Sequence, residues 1–125
     1  MKAGLFHALM VRCMCVVKPL TATEFAALPL DDSNLVGIAW TNENGPGLRI
    51  MLAMAGGDNV IDLVFTWVSG LRIDLDLRPV FKPMMQNHTI RQIDDGRWRI
   101  VLDFAGPSIQ LECEEIAMAT VRDSK

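Results

Sequence analysis

The run Leu71-Arg72-Ile73-Asp74-Leu75-Asp76-Leu77-Arg78 alternates apolar and charged residues without a slip. Side chains on a strand point to opposite faces with period two, so the pattern predicts a strand that buries Leu71, Ile73, Leu75 and Leu77 and solvates the rest. A sheet with one dry and one wet face must pack its dry face on something. The alternation therefore constrains the architecture far more than the activity.

The same period recurs along the chain. Val36, Ile38 and Trp40 form one inward set, Leu48, Ile50, Leu52 and Met54 the next, and Ile61, Leu63, Phe65 and Trp67 a third. Trp98, Ile100, Leu102 and Phe104 precede the turn Ala105-Gly106-Pro107-Ser108, after which Ile109, Leu111 and Cys113 face in again. Glu114-Glu115 breaks the alternation, and Ile116, Met118 and Thr120 resume it, which places a bulge or short turn there. Asn44-Gly45-Pro46-Gly47, Ala55-Gly56-Gly57-Asp58-Asn59 and Asp94-Asp95-Gly96 read as turns. The expected fold is mainly β, a single-domain antiparallel meander of seven to eight strands over 35–121, forming a β-sandwich or an open rolled barrel.

Registers follow if successive strands are hairpins. Keeping Phe65 and Ile73 on one face selects Val68-Ser69-Gly70 as a three-residue loop with Gly70 left-handed. Trp67 then pairs with Leu71, Phe65 with Ile73, Leu63 with Leu75 and Ile61 with Leu77. A four-residue loop at Ala105 pairs Phe104 with Ile109, Leu102 with Leu111 and Ile100 with Cys113, and sets Arg99 opposite Glu114. For the strand from Asn87 to Ile93, Ile93 suits a two-residue turn and Ile90 a three-residue one.

Residues 1–30 read differently, as one or two short helical or irregular pieces packed on the sheet. Leu5, Phe6, Leu9, Met10, Cys13 and Val17 recur at helical spacing, while Val11 to Val17 also suits a strand. Lys18-Pro19 ends that element. Thr21-Ala22-Thr23-Glu24 has capping-box spacing and opens a short helix to about Leu28.

Composition bounds the function classes. A chain of 125 residues fits one domain, 1–125, and half of its residues are hydrophobic, which excludes disorder. A net charge of −3 offers no basic stripe for nucleic acid. No apolar stretch approaches the roughly 20 residues of a membrane helix. The segment before Lys18 resembles a signal peptide in outline only, since His7 and Arg12 interrupt it and Lys18-Pro19-Leu20 is a poor cleavage context. Three cysteines cannot all pair in one chain, which points to free thiols and a cytoplasmic setting.

Residues suited to chemistry are sparse. Ser33, Ser69 and Ser108 sit in turns, and only His7 and His88 could serve a nucleophile as base. No G-x-S-x-G, P-loop or dinucleotide fingerprint occurs, so no catalytic residue and no cofactor is assigned. Cys13-x-Cys15 lacks the second ligand pair of structural zinc, and Cys113 has core phase, so no metal is expected. His88, beside a loop, reads as a surface or capping residue. The derived register sets Asp62 opposite Asp76, with Asp74 two residues away. Like charges so placed destabilise a sheet, which makes the cluster a candidate cation or basic-partner site, with a solvated ion-pair lattice the simpler reading. The long connection from Arg78 to Asn87 carries Pro79, Phe81, Pro83, Met84 and Met85. Apolar side chains held between prolines suit a protein interface, and a flap closing the sandwich is the competing reading.

The order Asp32-Ser33-Asn34-Leu35, Gly37-Ile38-Ala39-Trp40, Leu48 to Ala55, Leu63-Val64-Phe65 to Val68, Leu71-Arg72-Ile73 and Ile109-Gln110-Leu111-Glu112-Cys113 to Ile116 resembles small bacterial all-β proteins, some assigned as immunity proteins against secreted toxins. The likeness is a pattern of strands, and the segment Met1 to Pro29 has no counterpart in it. It implies a non-enzymatic protein that binds another protein, and it assigns no site residue. Two functions follow. One is a protein-binding module, self-association included, using an edge strand, the acidic face or the loop at Phe81. The alternative is a small-ligand binder or enzyme with a pocket between the sheets lined by Trp40, Trp67 and Trp98.

Overall fold

The computed structural model describes residues 16–42, 45–55, 59–74, 84–104 and 107–121. Among them the chain forms nine strands and one short helix. These are β1 (Val16–Leu20), α1 (Ala22–Ala26), β2 (Asn34–Thr41), β3 (Gly47–Ala53), β4 (Val60–Thr66), β5 (Ser69–Asp74), β6 (Asn87–Asp94), β7 (Arg97–Asp103), β8 (Ser108–Cys113) and β9 (Glu115–Val121). They make two antiparallel sheets, a five-stranded one ordered β1-β9-β4-β3-β2 and a four-stranded one ordered β5-β8-β7-β6. The sheets are not closed into a barrel. This is a β-sandwich.

The core lies between the sheets and is built from the inward sets read from the alternation. Leu48, Ile50 and Leu52 of β3, Leu63 and Phe65 of β4, and Ile100 and Leu102 of β7 are all buried, as are Ile109, Leu111 and Cys113 of β8. Phe25 of α1 and Leu30 join them, with the Phe25 ring edge-on to Phe65 at 6.1 Å. The helix forms as its capping box predicts. Glu24 N–H donates to Thr21 Oγ1 at 3.1 Å, and Thr21 N–H donates to the Glu24 carboxylate at 2.9 Å. That backbone donor is the main reason the Glu24 carboxyl titrates below its ordinary value.

The connectivity departs from a single meander. β2-β3-β4 and β6-β7-β8 are meanders, but the chain changes sheet between β4 and β5 and again between β8 and β9. The expected β4–β5 hairpin does not form. β4 lies between β3 and β9, while β5 is an edge of the other sheet, paired only with β8. Gly70 is left-handed as expected, at φ 59°, but it sits where the β5–β8 register shifts rather than closing a hairpin. Trp67, also at positive φ, and Val68 carry the crossing. The β7–β8 register is slipped by two residues from the expected one. Leu102 pairs with Ile109, Ile100 with Leu111 and Trp98 with Cys113, so every inward residue stays inward and Arg99 meets Glu112, not Glu114. At β6–β7, Asp95-Gly96 makes a two-residue turn, and a register shift between Gln92 and Asp94 lets Ile90 pair with Ile100 as well.

Residues 16–20 form a strand, so the helical reading through Val17 gives way to the strand alternative, and Lys18-Pro19 does not end it. Proline is tolerated because β1 is an edge, where a missing N–H can face away from β9. The rest of the N-terminal helix reading lies outside the described residues. So do Leu75, Asp76 and Leu77.

Candidate interaction surface

Edge strands present unpaired backbone groups, and β2 is one edge of the five-stranded sheet. Its burial is uneven. Leu35 and Ile38 pack against the core, yet Val36 is 58% exposed and Trp40 is 66% exposed. Val36 stands out because the register with β3 shifts between Leu35 and Gly37, leaving it in a bulge. Trp40 pairs with Leu48 and has inward phase, but at the sheet margin its indole has little to pack under.

Met84 extends this surface. It forms an antiparallel bridge with Asn34 at the start of β2 and is 45% exposed. The neighbouring Met85 is fully buried and anchors the approach. Its N–H donates to the Ser33 carbonyl at 2.7 Å, and its own carbonyl accepts from Asp32 N–H at 2.9 Å. Of the five residues expected in the loop interface, Met84 is therefore exposed, Met85 is core, and Pro79, Phe81 and Pro83 lie outside the described residues. Met84, Val36 and Trp40 run along one strand edge, over about 20 Å at 3.3 Å per residue.

The tryptophans do not line an interior pocket as a set. Trp67 is 47% exposed and rests on the β2–β3 turn, where its N–H donates to the Pro46 carbonyl at 2.7 Å. Gly45 makes that possible, since a Cβ there would stand 2.8 Å from the indole ring. Trp98 alone packs on the core, from β7. Periodicity identified Trp40 correctly as inward in phase. It could not show that the side chain stays 66% exposed.

The acidic cluster is not assembled as expected. Asp62 pairs in register with Met51 and Ala119, not with Asp76, because β4 has β3 and β9 as neighbours. Its carboxylate is almost fully buried and accepts a hydrogen bond from the Arg49 guanidinium across the β3–β4 ladder. Asp74 is exposed on β5 in the other sheet. The wet face of that sheet carries the ion-pair lattice, with Arg99 on Glu112 at 3.0 Å and Arg97 on Glu114 at 3.3 Å and on Ser69.

His88 takes the capping alternative and not the surface one, and it faces inward. Its ring meets Phe25 edge-on at 5.2 Å, and Nε2 lies 3.0 Å from the Phe25 carbonyl. A protonated Nε2 donates to a carbonyl at the end of α1, so the histidine ties helix to sheet. Cys113 is buried, and desolvation pushes its thiol up to about 12. Cys13 and Cys15 lie outside the described residues. Among the described residues no three His, Cys, Asp or Glu side chains converge on a point. Nor, among them, is any helix long and apolar enough to cross a membrane. Compared with protein families, with curated proteins and with solved structures, the chain finds no match.

Proposed function

We propose that this chain is a protein-binding module that docks a partner along the free edge of β2. The observation that carries the reading is the row Met84, Val36 and Trp40, three large apolar side chains exposed beside an edge strand whose outer side, among the described residues, is met only by the Asn34–Met84 bridge. An edge strand offers main-chain hydrogen bonds for affinity, and side chains beside it supply selectivity. Tryptophan and methionine are enriched at protein interfaces, and isolated proteins ordinarily hide such residues on an edge. The resemblance to toxin-immunity proteins is consistent with a binder of this kind. The pocket alternative is weaker, because Trp40 and Trp67 are 66% and 47% exposed.

The test compares wild type with Val36→Asp and Trp40→Ser in quantitative affinity capture and sedimentation. Burying one such side chain contributes on the order of 1.5–3 kcal/mol, so losing two weakens association by at least a hundredfold at about 1.4 kcal/mol per decade. The expected result is loss of a specific partner, or of self-association, with the melting temperature unchanged. An identical set of partners captured by both proteins would refute the β2 assignment.

A further inference from the structure

β2 differs from the other sheet edges in what it leaves out. Edge strands ordinarily carry charge, proline or a covering element that discourages pairing with another strand. β1 has Lys18 and Pro19, β5 has Arg72 and Asp74, and β6 has Arg91 and Asp94 with α1 packed beside it. Asn34–Thr41 has no charged residue and no proline. Its bulge lies at Val36, next to the Asn34–Met84 bridge, so both of these interruptions fall at the start of the strand. Among the described residues, Gly37 to Thr41 meets no strand on its outer side.

What fits there follows from parity and charge. Two copies joined edge to edge are related by a two-fold axis through the sheet, and side chains directly opposite each other share a face. Because successive residues alternate faces, only registers that pair residues of the same phase are allowed. An axis at Ala39 pairs the whole free run: Gly37 with Thr41, Ile38 with Trp40, and Ala39 with its own copy. Trp40 has inward phase and is 66% exposed, while Ile38 packs against the core from the same face. Each indole then lies beside the other copy's Ile38, a cross-strand pair of aromatic and β-branched side chains that attract. The pairing strands bring no charge, and Arg49, directly opposite Ala39 on β3, is already held by Asp62. Two chains of net charge −3 thus meet without burying an unpaired charge at the seam. Each Trp40 offers roughly 160 Å² at 66% of the ~250 Å² of a tryptophan. With the backbone edges the two copies bury roughly 800 Å², below the ~1,200 Å² of stable complexes, so the association is weak and reversible.

Resting on the β2 edge reading above, we propose that its partner is a second copy of this chain, paired antiparallel about Ala39 so that two five-stranded sheets become one continuous sheet. Sedimentation velocity on the full chain should show the weight-average coefficient rising from monomer toward dimer between about 10 μM and about 1 mM. Ala39→Lys and Ala39→Glu should each keep the chain monomeric over that range with the melting temperature unchanged, because like charges then face each other on the axis. Mixed in equal amounts, the two variants should associate again, on the order of tenfold more tightly than either alone, since the register sets residue 39 against itself. If a charge at this position unfolds the chain, Ala39→Cys with Cys13→Ser and Cys15→Ser replaces it, and Cys113 is buried and does not compete. Mild oxidation should then link two chains through residue 39 on the order of tenfold faster than through Arg72→Cys on the β5 edge. A wild type that stays monomeric throughout overturns the proposal. So does a mixture no tighter than its components, or equal linking rates at the two edges. With a monomeric wild type, a partner lost from Trp40→Ser in affinity capture leaves the edge reading standing, and an unchanged set of partners removes both.

Discussion

The Arg49–Asp62 pair makes an asymmetric prediction. The Asp62 side chain is 4% exposed while that of Arg49 is 43% exposed, so water can solvate the guanidinium but not the carboxylate. Two unit charges about 4 Å apart attract by about 4 kcal/mol at an effective dielectric near 20, and desolvation of the carboxylate offsets much of that. Arg49→Met keeps the bulk but strands the buried carboxylate. Removing one partner of a buried pair costs about 3–5 kcal/mol, and the half-exposed arginine places this case near about 3. Asp62→Leu strands only the guanidinium, which turns to solvent, at a cost of about 1 kcal/mol. The double variant Arg49→Met/Asp62→Leu leaves an apolar pair of similar volume and should lie near wild type, giving a coupling of about 4 kcal/mol. Urea melts read this directly. With a slope of about 2 kcal/mol/M, Arg49→Met shifts the midpoint by about 1.5 M and the double variant by little. Equal single losses that add in the double variant would refute the reasoning. A loss at Asp62→Leu far larger than at Arg49→Met would show that Asp62 serves some other group.

Leu111 and Gln110 are neighbours on β8 facing opposite ways, so Leu111→Ala should cost about 2–5 kcal/mol in urea melts and Gln110→Ala less than about 0.5. Similar losses at both would end the two-faced reading of this strand. Cys113 should resist alkylation until the fold is opened. Its thiol is raised from the ordinary 9.0 to about 12, chiefly by burial, so the folded state favours the neutral form. That contribution is fully present below pH 9 and lost as pH rises from 9 toward 12. Cys113→Ala should therefore flatten the alkaline limb of the stability curve, and an unchanged limb would contradict the buried-thiol assignment.

Much of the candidate surface was legible, but in pieces. The chain reads as apolar around Met84 and apolar again from Val36 to Trp40, 44 to 48 residues earlier. Their union depends on the Asn34–Met84 bridge, a contact that leaves no periodic trace. Asp62 was misread for the same reason. Its carboxylate interrupts an apolar strand, which signals something unusual at that position, but the expected β4–β5 hairpin supplied Asp76 as its neighbour, and the Arg49 pair needs the β3–β4 register that the meander alone did not give.

By itself the sequence determined which side chains face the core. Inward phase held along β3, β4, β7 and β8, from Leu48 to Phe65 and from Ile100 to Cys113, because alternation is a local property of an extended backbone. Burial did not follow it at Ile73 on the edge strand β5, 45% exposed, at Trp67, 47% exposed, or at the outward-phase Asp62, which is buried. It also determined the capping box at Thr21 and the left-handed Gly70. What only the tertiary structure decided is which strand lies beside which. Both sheets of a sandwich turn their apolar faces toward one core, so β5 satisfies its pattern equally well beside β4 or across from it. A register slip of two residues also leaves every side chain on its own face, as at β7–β8. Neighbour choice and even-numbered slips cost the hydrophobic pattern nothing. Packing volume, the crossing at Trp67 and ion pairs such as Arg99 with Glu112 have to choose between them.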